Sequence, residues 1–190
     1  MCLMIQNALH QSKQYLKEIV RPGDRVIDAT AGNGHDTLFL AKLVGETGQV
    51  LAFDIQEQAI ASTKKRLQEA DVSSWCQVTL DSHANLEKYI ESPIRAVVFN
   101  LGYLPGAEHE VTTESTSTWQ AIETALKWLE PGGRIVIVIY HGHVSGKLER
   151  QALLKQVSTL PQEEVQVFHS TFLNQKNSPP ELLVIEKKSR

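Results

Sequence analysis

Hydrophobic and polar positions follow two patterns that alternate along the chain. Short runs rich in β-branched and aromatic residues, such as "RVIDAT", "QVLAFDI" and "RIVIVIY", are typical of buried strands. Between these runs, apolar residues recur three and four positions apart, which is the pattern of amphipathic helices. The first helix is predicted over residues 3–20, and Pro22 and Gly23 end it.

The order of these segments predicts the fold class. Strands are predicted at 25–30, 49–55, 76–80, 94–100, 134–140, 164–173 and 181–187, and helices at 35–44, 56–70, 83–90, 117–130 and 146–160. Such alternation produces a mainly parallel sheet with helices on both faces. No helix separates the last two strands, which predicts an antiparallel edge hairpin. We therefore predict one α/β, Rossmann-like domain over residues 1–190, with seven strands and with the helical segment 1–21 packed on it.

Composition and charge narrow the functional classes. The 190 residues are 42% hydrophobic and 22% charged, as expected for a soluble globular domain. A net charge of -3 argues against a general nucleic-acid coat, although it permits a small RNA target recognised by shape. Cys2 and Cys76 form no CxxC pair, and no apolar run approaches the roughly 20 residues that span a bilayer. A cytoplasmic protein without membrane contact is predicted.

A glycine loop, "VIDATAGNGHDT", follows the first predicted strand. In a parallel sheet, ligands bind beyond the carboxyl ends of the strands. Gly32 and Gly34 allow the backbone to turn tightly and to approach a ligand closely. Asp54 ends the second strand, and an acidic residue there accepts hydrogen bonds from ribose hydroxyls. The loop and Asp54 together predict a nucleotide-type cofactor.

The charges around this loop distinguish two cofactors. A dinucleotide fingerprint has a third glycine where this chain has Thr37. Asp28 and Asp36 flank the loop, so they would repel a pyrophosphate but attract the sulfonium and ammonium groups of S-adenosylmethionine. S-adenosylmethionine is therefore the predicted cofactor. A dinucleotide-dependent oxidoreductase and an inert cofactor-fold module that only binds a partner are the alternatives.

These motifs in this order resemble class I S-adenosylmethionine-dependent methyltransferases over the whole chain. More closely, they resemble the YtqB-type family, whose better-understood MnmM-type members methylate an aminomethyl group on the wobble uridine of transfer RNA. The matching stretches are "DATAGNGHDT", "FDIQ", "DSHANL", "FNLGYLPG", "YHGHVSGKLE" and "NSPPELLVIEK". The family usually continues after "GYLPG" with a glycine and a charged run, where this chain has "AEHE" and Glu108 to Glu110.

The resemblance implies cofactor contacts at three strand ends. Asp28, Gly32, Asn33 and Gly34 would bind the methionine part, with the negative charge of Asp36 beside them; Asp54 and Gln56 would bind the ribose, and Ser82 and His83 the adenine side. Ser82 has an alternative role, because a serine in this position also caps the short helix that follows it.

The loop after the fourth strand resembles the acceptor loop of amino-methyltransferases. In that wider group, an Asn or Asp and a following backbone carbonyl accept hydrogen bonds from the target amine. Asn100 matches, whereas Leu101 and Gly102 replace two prolines and Tyr103 follows. Methyl transfer is an in-line displacement, so the protein has mainly to orient a neutral amine. Asn100 and Gly102 are therefore predicted acceptor residues, and Tyr103 either stacks on a flipped base or anchors the loop.

The target amine must lose a proton, which calls for a base or a desolvated site. An aliphatic aminomethyl group is largely protonated at neutral pH. His141 and His143 follow the fifth strand at the same edge, so either could accept that proton. The alternative is that they bond to the backbone at a strand end. Their spacing of two also suits a metal pair, but no third ligand candidate has suitable spacing, and no metal is predicted.

The substrate prediction depends on the resemblance. It implies N-methylation of the aminomethyl group of wobble uridine, with the anticodon region of transfer RNA as the partner. Ribosomal RNA and a small amine are the alternatives. The segment 174–180 and the basic residues of the first helix could contact RNA, or could be an ordinary turn and a solvated helix face. The oligomeric state is left open.

Overall fold

The structure is a computed structural model that describes residues 5–102 and 111–189, with residues 111–115 described by their backbone alone. The strands are β1 (Arg25–Asp28), β2 (Gln49–Asp54), β3 (Cys76–Leu80), β4 (Ile94–Leu101), β5 (Leu129–Ile139), β6 (Val165–Ser170) and β7 (Glu181–Lys187). The helices are α1 (Ala8–Ile19), α2 (His35–Val44), α3 (Glu57–Glu69), α4 (Val111–Trp128) and α5 (Val144–Val157). Short 3-10 helices span Ser73–Trp75 and His83–Lys88.

The strands form one seven-stranded sheet in the order β3-β2-β1-β4-β5-β7-β6. Strands β1 to β5 are parallel, whereas β7 runs antiparallel to both β5 and β6. The predicted fold class, including the antiparallel edge pair, is confirmed. The strand order reverses direction between β1 and β4, and ligands bind beyond the carboxyl ends of the strands at such a point.

Each face of the sheet has its own hydrophobic core, because successive residues of a strand point to opposite faces. In β4, Phe99 and Leu101 pack with apolar residues of α4 and α5. Val98 packs on the other face with apolar residues of α1, α2 and α3. Asn100 has the same parity as Val98, so its side chain lies on the face that α1 and α2 cover.

The predicted start of the first helix was wrong. Helix α1 begins at Ala8 rather than at residue 3, because the Asn7 side chain accepts a hydrogen bond from the backbone N–H of His10 at 3.0 Å and caps the first turn. Leu16 and Val20 then pack into the core against the sheet. Residues 5–7 therefore lead into the helix without forming part of it.

Other boundaries also differ from the predictions. Helix α4 begins at Val111, ahead of residue 117, and β5 begins at Leu129, ahead of residue 134. The pairing of β4 with β5 shifts register between Ile94 and Ala96, which accommodates the "EPGG" segment inside the strand. Strand β6 ends at Ser170 rather than 173. Across the described ranges, no helix has the length and apolar character needed to cross a membrane.

Candidate functional site

The glycine loop connects β1 to α2 with a left-handed backbone at Gly32 (φ 52°) and Gly34 (φ 76°). A Cβ at Gly34 would lie 2.9 Å from the Cα of Thr63, so this glycine allows α3 to pack against the loop. A Cβ at Gly32 would come no nearer than 3.9 Å to the Thr30 carbonyl oxygen, which leaves space beside that residue. Thr63 Oγ1 donates to the Gly32 carbonyl at 3.0 Å and fixes the turn.

Asp54, at the end of β2, is oriented by two backbone donors. The N–H of Gly32 donates to Oδ2 at 2.9 Å, and the N–H of Gln56 donates to Oδ1 at 3.0 Å. Each carboxylate oxygen keeps a further lone pair, which is what a pair of ribose hydroxyls requires. Ile55, which the sequence reasoning missed, follows directly and is 60% exposed, so an apolar surface for a planar ring adjoins Asp54.

Asp28 is fully buried beneath the same loop. Thr37 Oγ1 donates to one carboxylate oxygen at 2.6 Å and the N–H of Thr30 donates to the other at 3.1 Å. The pKa of Asp28 is raised to about 7, chiefly by burial; the hydrogen bond from Thr37 opposes this rise and the nearby charge of Asp36 adds to it. Asp28 therefore stabilises the loop, and its predicted contact with the cofactor stays a prediction.

Asn33 is the exposed tip of the loop, and it is held by an arginine that the sequence analysis did not place at this site. Arg66 of α3 donates from Nε to the Asn33 carbonyl oxygen at 2.6 Å. Its guanidinium also lies 3.3 Å from Nε2 of His35. The conformation of the loop therefore depends on a residue of the next helix.

At the end of β3, Ser82 has the capping role that was its alternative interpretation. Its hydroxyl accepts a hydrogen bond from the N–H of Ala84 at 3.2 Å, at the start of the short helix. Asp81 accepts hydrogen bonds from Asn85 and Tyr89, and these bonds lower the pKa of Asp81. The adenine contact predicted for Ser82 stays a prediction.

His83 reaches from the end of β3 towards the end of β1. Its Nδ1 lies 3.1 Å from the Ala29 carbonyl oxygen, which only accepts, so Nδ1 carries the proton. Burial lowers the pKa of His83, so the ring is neutral and Nε2 is a bare acceptor. That Nε2 is buried and has no partner in the described part of the chain, which leaves it available to a ligand N–H.

Asn100, at the end of β4, is hydrogen-bonded both to the glycine loop and to α2. Its backbone N–H donates to Thr30 Oγ1 at 2.7 Å, which ties β4 to the glycine loop. Its side-chain Nδ2 donates to Asp36 Oδ2 at 2.6 Å, whereas its Oδ1 is buried with no partner among the described residues. A buried acceptor without a donor is costly, so this oxygen gains stability when a ligand donates to it.

Two further residues lie in this region, where the sequence analysis had not placed them. Lys13 of α1 places its Nζ 3.7 Å from Asp36 Oδ1. Tyr140 lies beside Gly102, whose Cβ position is 3.5 Å from the ring, and burial followed by the charge of Asp36 raises the pKa of the tyrosine. Gly102 itself is exposed at the end of β4.

His141 is bound to β7 rather than directed towards β4. Its Nε2 lies 3.1 Å from the Pro179 carbonyl oxygen and 3.3 Å from Glu181 Oε1, both acceptors, so this nitrogen is the donor. In the sheet, β7 adjoins β5 on the side opposite to β4, so the structure does not bring this nitrogen to Asn100. His143 is exposed and directly precedes α5. The proton-acceptor role of either histidine stays a prediction.

Some predicted positions lie outside the described residues, namely Tyr103 and the Glu108 to Glu110 segment. Within residues 5–102 and 111–189, no group of three or more His, Cys, Asp or Glu side chains is arranged to bind a metal ion.

Comparison with known proteins identifies the family to which this site belongs. Residues 50–186 match the profile of the family described as "Putative rRNA methylase". The chain belongs to this family. A structure from Clostridium thermocellum, described as a "putative rRNA-methylase", is 45% identical, covers 97% of this chain and 100% of its own, and superposes with a TM-score of 0.92.

Two other relatives are described with a cofactor product and with an RNA substrate of their own. A Streptococcus mutans methyltransferase structure, solved in complex with S-adenosylhomocysteine, is 41% identical, covers 97% of this chain and 99% of its own, and has a TM-score of 0.87. The Arabidopsis thaliana chloroplastic tRNA (mnm(5)s(2)U34)-methyltransferase is 39% identical over 76% of this chain and 57% of its own length. The chain spans about half the length of the curated relatives it matches.

S-adenosylmethionine is the cofactor of this family member, and the residues present fit it. The carboxylates of Asp28, Asp36 and Asp54 surround the glycine loop, and their mutual repulsion contributes to the raised pKa of Asp28. A cationic cofactor relieves that repulsion, whereas a pyrophosphate would increase it. Thr37 occupies the third glycine position of a dinucleotide fingerprint, and its buried side chain donates a hydrogen bond to Asp28. The dinucleotide alternative is therefore disfavoured.

Proposed function

We propose that the protein is an S-adenosylmethionine-dependent N-methyltransferase. Its substrate is the 5-aminomethyl group of uridine or 2-thiouridine at the wobble position of transfer RNA, and its product is the 5-methylaminomethyl nucleoside. The observation that carries this proposal is the buried Oδ1 of Asn100, which has no partner among the described residues and lies next to the glycine loop. This oxygen is an acceptor, and an amine N–H is the donor that suits it.

The residues of the chain orient the amine rather than activate it. When bound, S-adenosylmethionine would supply an activated methyl group and leave as S-adenosylhomocysteine, with Asp54 holding the ribose and the glycine loop the methionine part. Asn100 Oδ1 accepts one N–H of the neutral amine, which directs the nitrogen lone pair away from Asn100 and towards the cofactor side. Partial burial beside Asn100 and Tyr140 favours the neutral amine over its cation, against the attraction of the Asp36 carboxylate for the cation.

The choice of transfer RNA is supported by the name of the Arabidopsis relative, which specifies U34 of transfer RNA. The resemblance of "FNLGYLPG" and "YHGHVSGKLE" to the wobble-uridine enzymes supports the same substrate. The anticodon region is the proposed partner, and the cytoplasm is the proposed compartment.

Ribosomal RNA is a second candidate substrate, because the description of the family names it. The same site chemistry would serve an amino group on a ribosomal nucleotide. The two substrates differ in which RNA loses a methyl group when the gene is deleted.

Mass spectrometry of nucleosides from cells that lack the gene separates these proposals. We expect the transfer RNA of the deletion strain to accumulate the 5-aminomethyl nucleoside and to lose its methylated form. Complementation with the wild-type gene should restore the methylated form, and complementation with Asn100→Ala should not. An unchanged wobble-nucleoside profile, together with loss of a methyl group from ribosomal RNA, would favour the second candidate.

A further inference from the structure

The orientation of the Asn100 amide is determined by its partner. A carboxylate oxygen accepts hydrogen bonds and does not donate them, so the Asn100 atom 2.6 Å from Asp36 Oδ2 is the amide nitrogen. Rotation of the amide by half a turn would place two oxygens against each other, which is repulsive. Oδ1 therefore points away from Asp36, and it is the atom left without a partner among the described residues.

Asp36 is itself firmly placed. It lies in the first turn of α2, where the helix dipole favours a negative charge. Its side chain is 14% exposed, and Lys13 Nζ lies 3.7 Å from its second oxygen. The backbone of Asn100 is fixed independently by Thr30 Oγ1 at 2.7 Å. With the backbone of Asn100 held by Thr30, the hydrogen bond from Nδ2 to Asp36 decides the orientation of the Asn100 amide.

We propose that Asp36 is a positioning residue that orients the Asn100 amide so that Oδ1, and not Nδ2, is presented to the N–H of the acceptor amine. This inference rests on the proposed function, because it assigns the free oxygen to the substrate. It also changes the role of Asp36, which the sequence suggested only as a negative charge near the cofactor. Without Asp36, the amide could present its NH₂ group to the amine, and two donors would then face each other.

Four variants test the assignment through methyl transfer to transfer RNA. We expect Asp36→Ala to lower kcat about 10- to 100-fold with little change in the KM for transfer RNA, because both amide orientations become accessible. Asp36→Asn keeps an acceptor and should lose less. Asn100→Asp places two carboxylates in contact and should be nearly inactive. The double variant Asp36→Asn with Asn100→Asp restores an amide–carboxylate pair, leaves an oxygen towards the amine, and should exceed Asn100→Asp alone by at least about tenfold.

A second readout does not depend on the RNA substrate. The Asn100 side-chain NH₂ signals in a nitrogen-15 NMR spectrum can be assigned by their absence in Asn100→Asp. In the wild-type protein, one NH₂ proton should be shifted downfield by its bond to Asp36, and that shift should disappear in Asp36→Ala. Calorimetry with S-adenosylhomocysteine and thermal unfolding show whether each variant remains folded and binds the cofactor product.

The outcomes distinguish this inference from the proposed function. If the wild-type protein methylates no transfer RNA but the Asn100 signals respond to Asp36→Ala, the proposed function fails and the orientation of Asn100 by Asp36 is confirmed. If transfer RNA is methylated but Asp36→Ala changes neither kcat nor the signals, the positioning role is overturned. Failure of the double variant to exceed Asn100→Asp would also overturn it.

Discussion

The backbone N–H of Gly32 donates a hydrogen bond to Asp54 Oδ2 at 2.9 Å, across 22 residues of sequence. The turn of the glycine loop and the carboxylate at the end of β2 are therefore one structural unit. A change at Asp54 would remove the proposed ribose ligand and would also release the loop from β2.

Asp54→Ala should weaken S-adenosylhomocysteine binding at least about tenfold, because hydrogen bonds to a charged group contribute about 1.5–3 kcal/mol each. Isothermal titration calorimetry measures this directly. Glu46→Ala is a suitable control, since Glu46 is an exposed acid in the turn before β2, at the opposite edge of the sheet. Equal affinities of Asp54→Ala and the wild-type protein would remove Asp54 from the cofactor site.

Because Asp28 is buried and its pKa is raised, we expect the stability of the protein to depend on pH in an unusual way. Its pKa is raised from 3.8 to about 7, so between these values the folded chain binds more protons than the unfolded chain. Stability from this group therefore falls as pH rises, by roughly 4 kcal/mol in total. The asparagine of Asp28→Asn does not titrate, so the stability of this variant lacks that decline. The difference between its free energy of unfolding and that of the wild-type protein should therefore increase from pH 4.5 to pH 8. Denaturant unfolding curves of the cofactor-free proteins at both pH values provide the test, and parallel pH dependences would contradict it.

Gly34 and Gly132 provide a pair of glycines with nearly equal positive φ, at 76° and 75°. Alanine at either position is strained by about 1–2 kcal/mol, because an L side chain rarely adopts such a φ. At Gly34 the added Cβ would also collide with another element, 2.9 Å from the Cα of Thr63, whereas at Gly132 the nearest atoms are side-chain ends 3.9 Å away. Gly34→Ala should therefore destabilise the protein by about 1–3 kcal/mol more than Gly132→Ala in thermal or urea unfolding. Similar losses in the two variants would show that the contact of the loop with α3 is not tight.

Replacement of Glu181 is expected to change the free energy of unfolding of the protein independently of catalysis. This side chain is 5% exposed and accepts hydrogen bonds from Arg150 at 2.6 Å, His169 at 2.8 Å and Thr171 at 3.1 Å. Burial alone would raise the pKa of Glu181, but the bonds from Arg150 and His169 lower it overall. A lowered pKa gives stability that is present above the pKa of the unfolded state and is lost as pH falls.

Glu181→Gln should therefore lower the free energy of unfolding at pH 7 by about 1–3 kcal/mol and weaken its decline in acid. Urea unfolding at pH 7 and pH 4 measures both effects. Cofactor affinity should remain near that of the wild-type protein, because Glu181 lies at β7 and the predicted cofactor residues lie at the ends of β1, β2 and β3. A variant as stable as wild type at pH 7 would show that the Glu181 bonds contribute nothing net.

The sequence predicted the fold more completely than the site, for physical reasons. Strands such as β3 and β7 were predicted at their observed bounds, because β-branched runs flanked by turn residues report local structure. The start of α1 was misplaced because the apolar pattern continues through residues 3–7, whereas the Asn7 cap decides where the helix begins.

The partners of the site residues depend on contacts that no local pattern records. Lys13 meets Asp36 only because α1 packs across the sheet, and Tyr140 meets Gly102 only because β4 and β5 are neighbours. For His141, the sequence suggested a role that the observed contacts of its side chain do not support. Its position after β5 suggested a base, and its bond to Pro179 is visible only once β7 is placed beside β5.

The most direct test of the central claim is methyl transfer by the purified protein. Transfer RNA from a strain lacking the gene is incubated with S-adenosylmethionine that carries a deuterated methyl group, and its nucleosides are analysed by mass spectrometry. The account predicts that the label appears in the 5-methylaminomethyl wobble nucleoside, and that Asn100→Ala reduces this rate about 100-fold while retaining cofactor affinity. Label in a different nucleoside, or full activity of Asn100→Ala, would contradict it.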